Sequence, residues 1–205
     1  MKRLFITGIS TEVGKTVASA VVTEALQADY WKPIQAGDLN NSDSHKVERL
    51  ISNPKTKIHA NSYALQTPMS PHGAAEIDGI QIDLNEIKEP QTDNHLVIEG
   101  AGGLLVPWND TDTIFDLIRP NYQVVVVSRH YLGSINHSLL TLEALKAKGF
   151  LPAIIFSGNE HTTTESIILK KTGVIALGRI NEESHFDQAT ISKYAAEFRS
   201  GLLKW

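Results

Sequence analysis

The sequence predicts an α/β fold in which a mostly parallel sheet is covered by helices on both faces. Two observations support this class. Short runs rich in β-branched residues alternate along the chain with segments of helical periodicity. One run, QVVVVS at residues 123–128, is apolar through its centre, which is typical of a central parallel strand buried on both sides. Because alternating strands and helices build parallel sheets, we expect one sheet of this kind.

Each element follows from its own pattern. Six runs predict strands, at residues 4–7, 30–34, 96–99, 123–128, 153–156 and 174–177. Two segments predict helices because apolar residues recur at helical spacing: 15–28, through Val17, Val21, Ala25 and Ala28, and 136–148, through Leu139, Leu142 and Leu145. A mixed-charge helix is expected before the terminal GLLKW. The segment from about 38 to 94 is the least regular, and we expect it over the carboxyl edge of the sheet, where α/β proteins bind ligands.

Length and composition limit the possible functions. A chain of 205 residues, 41% hydrophobic and 20% charged, fits one globular domain spanning residues 1–205. The net charge of −4, without a Lys/Arg cluster, argues against a nucleic-acid partner. Without cysteine there are no disulfides or thiolate metal sites, and a cytoplasmic location is the simplest expectation. No apolar run approaches the ~18 residues of a membrane helix, so we expect no membrane partner.

The most informative segment is GISTEVGKT at residues 8–16, which follows the apolar run LFI. A strand that turns through glycines into a helix directs backbone N–H groups and the positive helix end toward one point, which suits a phosphate. Lys15 would reach the terminal phosphates of a nucleotide, and Thr16 would offer its hydroxyl to Mg²⁺. The spacing differs from the usual motif, because five residues instead of four separate Gly8 from Gly14. We predict a P-loop NTPase-like fold; the alternative is a helix start that carries Lys and Thr by chance.

A second segment, LVIEGAGG at residues 96–103, contains Glu99 at the end of a predicted strand. A carboxylate at the end of a strand beside the P-loop is where such proteins hold Mg²⁺. Two other interpretations stay open. The segment could begin a dinucleotide fingerprint, although Leu105 stands in place of its third glycine, or it could be a glycine-rich turn made for tight packing.

Lys32 and Asp43 are weaker candidates when each is taken alone. In WKPIQAG, the proline after Lys32 favours an extended backbone, which would present the ammonium over the carboxyl edge of the sheet. The alternative is a solvated surface lysine. Asp43, in NSDS, fits a helix N-cap or a first-turn acid. It becomes a candidate metal ligand only in combination with the other motifs of the chain.

Taken together, the motifs resemble those of the dethiobiotin synthetase family. The segments GISTEVGKT, WKPIQAG, NSD, PMSPHGAA, VIEGAGG and LGSINHSLLT occur here in the order and approximate spacing of that family. The resemblance is close over residues 3–145 and weaker toward the C-terminus. The extra residue in the P-loop is itself a feature of the family.

The resemblance implies an ATP- and Mg²⁺-dependent closure of a cyclic urea from 7,8-diaminononanoate (7,8-diaminopelargonate) and CO2. It implies catalytic roles for Lys32 and Lys15, and a Mg²⁺ shell of Thr16, Asp43 and Glu99. The residues that it assigns to ATP are Glu12, Val13, Gly14, Lys15, Thr16, Val17, Asp43, Glu99, Gly100, Ala101, Gly102 and Asn159. Those that it assigns to the second substrate are Lys32, Ala36, Pro71, Ile135 and Asn136.

The family also implies a homodimer, in which the loop and helix start around Ile135 and Asn136 reach into the neighbouring subunit's substrate site. Two departures from the family pattern concern details. Ala36 stands where members often carry Ser or Thr, so a hydroxyl contact is absent. For the adenine base, either Ser157 or Asn159 aligns with the family asparagine. Residues 177–180 resemble another base-contacting segment of the family, although Asn181 replaces the proline that commonly follows it.

Other functional classes share parts of the pattern. A small-molecule kinase would also use the P-loop and Lys32. A partitioning-type regulatory ATPase has the same fold but usually carries a second lysine early in the loop, where this chain has Ser10. A GTP-dependent switch would need an N-K-x-D motif, which is missing.

Overall fold

The computed structural model describes residues 1–205. The strands are β1 (Arg3–Gly8), β2 (Asp29–Trp31), β3 (Ile34–Ala36), β4 (Ile58–His59), β5 (Tyr63–Leu65), β6 (Leu96–Gly103), β7 (Gln123–Arg129), β8 (Ala153–Ser157) and β9 (Ile175–Ile180). The α-helices are α1 (Lys15–Leu26), α2 (Asp43–Leu50), α3 (Pro71–Asp78), α4 (Ser134–Ala147), α5 (Thr162–Thr172) and α6 (Gln188–Lys204). Short 3₁₀ turns occupy Leu39–Asn41, Leu84–Glu86 and Ile114–Leu117.

The main sheet has seven strands in the order β4-β2-β6-β1-β7-β8-β9, and every pairing is parallel. The first strand of the chain therefore lies in the centre, between β6 and β7. The side chains of β1 and β7 are almost entirely buried, as a central parallel strand requires. This arrangement confirms the predicted parallel α/β class and brings the carboxyl ends of β1, β2 and β6 to one edge.

The helices cover both faces of this sheet, as predicted. Helix α1 packs against α2 and α6, whereas α4 packs against α5. Because parallel crossovers are right-handed, the direction in which a connection moves along the sheet decides which face its helix covers. The connection through α1 moves toward β2, whereas those through α4 and α5 move the opposite way, so α1 lies on one face and α4 and α5 lie on the other. None of the helices combines the length and the apolar character that crossing a bilayer requires.

The single strand predicted at residues 30–34 is wrong, because the chain divides it at Lys32 and Pro33. The first half, β2, joins the main sheet, whereas β3 pairs with β5 in a separate two-stranded sheet. Pro33 has no N–H for a sheet ladder, and its carbonyl instead accepts hydrogen bonds from the N–H groups of Ser62 and Tyr63 at 2.9 and 3.0 Å. The break leaves Lys32 at the carboxyl end of β2.

Other boundaries also differ from the predictions. Helix α1 stops at Leu26 because Gln27 adopts a left-handed conformation, with φ of 50°. The last predicted strand, 174–177, forms as Ile175–Ile180, and α4 begins two residues earlier than the predicted 136. The irregular segment 38–94 contains α2, α3 and two short strands. Residues from this segment lie over the carboxyl edge, where they form one wall of a cleft.

Candidate active site

A large cleft opens at the carboxyl edge of the sheet, with a volume of roughly 1090 Å³. Most of the residues predicted to bind a ligand line it: Glu12, Gly14, Lys15, Thr16, Val17, Lys32, Ala36, Asp43, Pro71, Glu99, Ala101 and Gly102. They come from five separate segments of the chain. The topology brings them together because parallel strands all end at this edge.

The loop from Gly8 to Gly14 forms the floor of the cleft at the start of α1. Gly14 has a φ of +93°, and a Cβ atom there would lie 2.7 Å from the hydroxyl oxygen of Ser157, so the position needs glycine. The next residue begins α1, so the free N–H groups of its first turn face the cleft. This is the strand–loop–helix geometry that suits a phosphate.

Lys15 folds back over this loop. Its ammonium donates a hydrogen bond to the carbonyl oxygen of Ser10 at 2.9 Å, and the side chain is almost fully buried. Burial lowers the pKa of Lys15 to about 8, although the nearby charge of Glu99 acts in the opposite direction. A buried cation with one neutral partner is a group that an anionic ligand would stabilise.

Lys32 lies at the centre of a buried charge cluster. Its ammonium nitrogen lies 2.5 Å from Oδ2 of Asp43 and 3.1 Å from Oε1 of Glu99. The hydroxyl of Thr16 donates to the same Glu99 oxygen at 3.0 Å. Burial alone would lower the pKa of Lys32, but the two carboxylates outweigh it and raise the pKa above its ordinary value. The two carboxylates therefore favour the charged form of the lysine. Its side chain is buried, so the surface-lysine interpretation is wrong.

Asp43 is held at the start of α2 by its neighbours. Ser42 caps the helix by accepting a hydrogen bond from the backbone N–H of His45, and Asp43 is the first-turn acid, as its sequence context suggests. The buried amide of Gln35 accepts from the backbone N–H of Asp43 at 3.3 Å and donates to the carbonyl of Gly37 at 2.9 Å. Burial alone would raise the pKa of Asp43, but the charges and hydrogen bonds of Lys32 and Lys46 have the larger effect, so the pKa lies below its ordinary value.

These oxygens suit a hard divalent cation. Mg²⁺ is usually bound by one or two protein carboxylates together with substrate phosphates and water, not by a complete protein cage. The hydroxyl of Thr16 and the carboxylates of Asp43 and Glu99 meet around Lys32 beside the loop, which matches that donor set. No group of three or more His, Cys, Asp or Glu side chains converges anywhere in the chain to hold a metal by itself.

The far end of the cleft has fewer polar side chains than the end beside the loop. Ala36 on β3 and Pro71 at the start of α3 line it, together with Pro68, Met69 and Ser70. Ala36 offers no hydroxyl, and the neighbouring Gln35 already binds two backbone groups, so polar contacts here would come from backbone atoms, water or Ser70. The wall as a whole fits an aliphatic ligand.

Several predicted residues lie elsewhere. Val13 and Gly100 are buried, and Gly100 packs against Phe5 and Ile114 instead of facing the cleft. Asn159 is exposed and accepts a long hydrogen bond from the backbone N–H of Glu182, whereas Ser157, the alternative, lines the cleft. Ile135 and Asn136 are exposed on the first turn of α4, outside the cleft of a single chain.

The structure adds residues that sequence reasoning missed. Gly158, Glu182, Glu183 and Phe186 form the wall beside Gly14 together with Ile180 and Asn181, which belong to the region compared with a base-contacting segment of the family. Arg129 joins this wall through an ion pair with Glu182 at 3.2 Å. A signal was present for Arg129 and Gly158, which follow the strands predicted at 123–128 and 153–156. Residues 181–183 follow β9, which extends three residues beyond the predicted 174–177. Their shared position at the carboxyl edge places them in the same cleft.

Comparison with known proteins agrees with this geometry. A family model described as an AAA domain matches residues 2–190. An ATP-dependent dethiobiotin synthetase from Christiangramia forsetii is 60% identical over 98% of both chains, and one from Cytophaga hutchinsonii is 46% identical over 96% of this chain and 97% of its own.

Solved structures show the same fold at much lower identity. A plasmid partition protein from Borrelia burgdorferi has a TM-score of 0.61 at 15% identity, covering 100% of this chain and 99% of its own. A chain of the MinC:MinD cell division protein complex from Aquifex aeolicus has a TM-score of 0.58 at 14% identity, covering 100% and 96%. These two likenesses establish only the P-loop NTPase-like fold, whereas the near full-length relatives establish the family. This chain belongs to the family of ATP-dependent dethiobiotin synthetases.

Proposed function

We propose that this protein is an ATP- and Mg²⁺-dependent cyclo-ligase of biotin biosynthesis, which forms dethiobiotin, ADP and phosphate from 7,8-diaminononanoate and CO2. The observation that carries the proposal is the position of Lys32, a buried ammonium between Asp43 and Glu99 at the junction of the loop and the aliphatic end of the cleft. A phosphate acceptor and a nucleotide γ-phosphate would meet there.

The nucleotide would occupy the loop side of the cleft. Residues from Glu12 to Val17 would surround its phosphates through backbone N–H groups and the Lys15 ammonium. The base would extend toward Ser157 and residues 180–183, with Asn159 at the rim. Glu99 and the glycine turn after it would border the γ-phosphate, with Ala101 and Gly102 in the lining and Gly100 supporting them from behind.

Thr16, Asp43 and Glu99 would hold Mg²⁺. When bound, the ion would neutralise charge on the β- and γ-phosphates. The Lys32 ammonium would then remain available between the two reactants.

The chemistry needs charge neutralisation and alignment more than covalent participation by the protein. One amine of the substrate takes up CO2 as a carbamate, and a carbamate oxygen attacks the γ-phosphorus with ADP as leaving group. The second amine then attacks the carbonyl carbon of the mixed anhydride and expels phosphate. Lys32 and Lys15 would stabilise the negative charge that builds up between carbamate and phosphate.

We place the diamine between Ala36, Pro71 and Lys32, with its carboxylate near Ile135 and Asn136 of a second subunit. Leu132 is fully exposed, and Ile135 and Leu140 are also exposed, so the turn before α4 and its outer face present apolar surface. Exposed apolar surface of this kind is typical of a protein interface, which supports a homodimer. We place the enzyme in the cytoplasm, where ATP and bicarbonate are supplied.

A pH effect on nucleotide binding follows from the position of Lys15. Burial lowers its pKa to about 8 in the free protein, and an added triphosphate would raise it again. We expect ATP affinity to change little near pH 7 and to fall by up to ~10-fold per pH unit well above pH 8, because binding then takes up one proton. Lys32, whose pKa is raised, stays charged over this range.

Calorimetry in two buffers of different ionisation enthalpy at pH 9 measures this uptake, with Lys15→Ala as the control. The variant is expected to bind more weakly and to take up no proton above pH 8. Equal proton uptake by the two proteins would show that another group titrates.

The proposed reaction is tested by omission. Purified protein with ATP, Mg²⁺, bicarbonate and the diamine is expected to give dethiobiotin by mass spectrometry and equal amounts of ADP and phosphate. Leaving out either the diamine or bicarbonate should stop phosphate release. A kinase would phosphorylate an acceptor without bicarbonate, and phosphate release that ignores the diamine, with no urea product, would refute the proposal.

A further inference from the structure

Tyr30 on β2 contacts the charge cluster from the protein core. It lies two residues before Lys32, its side chain is completely buried, and its hydroxyl donates a hydrogen bond to Oε2 of Glu99 at 2.9 Å. The other oxygen of that carboxylate, Oε1, accepts from Thr16 and Lys32. The two oxygens therefore have separate environments, one in the core and one at the cleft.

This division matters because Glu99 is only 1% exposed. A buried carboxylate oxygen needs a donor, since water cannot reach it. On the core side Tyr30 supplies the donor, and this hydrogen bond sets the rotation of the carboxylate.

We propose that Tyr30 is a positioning residue, whose hydroxyl holds Glu99 so that Oε1 alone faces the divalent cation bound with the nucleotide. The inference rests on the proposed function, in which Glu99 is a Mg²⁺ ligand. Donors that orient a metal ligand from behind typically change metal affinity or activity by ~10–100-fold when removed. Tyr30 belongs to this class of group, although it lies outside every motif identified in the sequence.

The test uses Tyr30→Phe, which keeps the ring and removes only the hydroxyl. The probe is Mn²⁺, whose free concentration is followed by electron paramagnetic resonance, in the presence of a non-hydrolysable ATP analogue. We expect the Mn²⁺ dissociation constant of the ternary complex to rise by ~10-fold or more, whereas nucleotide affinity in the presence of EDTA stays within about twofold of wild type. A general loss of folded structure would weaken both Mn²⁺ binding and nucleotide binding.

Tyr122 offers a matched control. Its hydroxyl also donates to a carboxylate, Oε2 of Glu89 at 2.6 Å, but it precedes β7 at the amino edge of the sheet, away from the cleft. Tyr122→Phe should leave Mn²⁺ affinity unchanged. In a Glu99→Gln background, Tyr30→Phe should have no further effect on Mn²⁺ affinity, because the ligand that it positions is already altered.

The outcomes separate this inference from the proposed function. Mn²⁺ affinity of Tyr30→Phe within twofold of wild type, or a Tyr30→Phe protein that fails to fold while Tyr122→Phe folds, would overturn the positioning role. A wild-type protein that binds Mn²⁺ with the nucleotide but makes no dethiobiotin would refute the reaction and leave the result on Tyr30 standing. A wild-type protein that binds no Mn²⁺ in the presence of the nucleotide would overturn both the positioning role of Tyr30 and the proposed function.

Discussion

Replacing Lys32 with alanine is expected to lower kcat by at least ~100-fold while ATP still binds, because the lysine lies outside the P-loop and acts on charge that develops during transfer. Its ammonium is buried and contacts both Asp43 and Glu99, so the substitution removes the positive charge between these two carboxylates. Steady-state turnover at saturating ATP, diamine and bicarbonate measures the loss. An alanine variant with nearly the parental kcat would show that another cation serves the reaction.

Two comparisons make this test specific. Lys32→Arg retains the charge but replaces a compact ammonium by a broad planar group in a small site, so we expect poor rescue. Lys15→Ala should differ from Lys32→Ala by weakening ATP binding as well as turnover, because Lys15 contacts the phosphates before transfer begins. Removing Lys32 leaves Asp43 and Glu99 without their shared cation, so thermal unfolding should be compared at saturating Mg²⁺ and ATP.

Glu99→Gln is expected to reduce turnover by ~100-fold and to shift the Mg²⁺ titration of activity to higher concentrations. The substitution keeps the shape of the side chain, and its amide N–H can donate to the Tyr30 hydroxyl while its oxygen accepts from Lys32 and Thr16, so the fold should persist. It removes the charge that a divalent cation and Lys32 both contact in our proposal. Turnover at a series of Mg²⁺ concentrations measures the shift.

Glu89→Gln is the matched control for this variant. Glu89 is also a partly buried carboxylate, but it binds Arg3 and Tyr122 at the opposite edge of the sheet. Its loss should lower stability without changing the Mg²⁺ titration. Identical Mg²⁺ curves for wild type and Glu99→Gln would remove Glu99 from the metal site.

Much of the cleft was predictable because its chemistry depends on local sequence and on strand ends. The P-loop is a continuous segment, so its glycines, Lys15 and Thr16 could be assigned from order alone. Glu99 could be placed beside it because the carboxyl ends of parallel strands meet at one edge, and β6 does pair with β1. Lys32 needed the family resemblance, since one lysine before a proline does not distinguish a buried group from a surface one.

Other features depend on contacts that no local pattern encodes. The hydrogen bond between Tyr30 and Glu99 joins residues 69 positions apart, and in the sequence Tyr30 is simply an aromatic residue of a strand. The division of the predicted strand at Pro33 depends on β5, which supplies the second half with its partner. Ile135 and Asn136 lie outside the cleft of one chain, so their predicted role requires a second subunit.

The path of oxygen atoms from bicarbonate shows whether a carbamate oxygen attacks the γ-phosphorus. If a carbamate oxygen attacks the γ-phosphorus, ¹⁸O-labelled bicarbonate used before it exchanges with water should leave one ¹⁸O atom in the phosphate released and one in the urea carbonyl of dethiobiotin. Mass spectrometry of both products after a short reaction measures this transfer. Urea formation with unlabelled phosphate would contradict the mechanism, because phosphate would then have left ATP without passing through the carbamic-phosphoric anhydride.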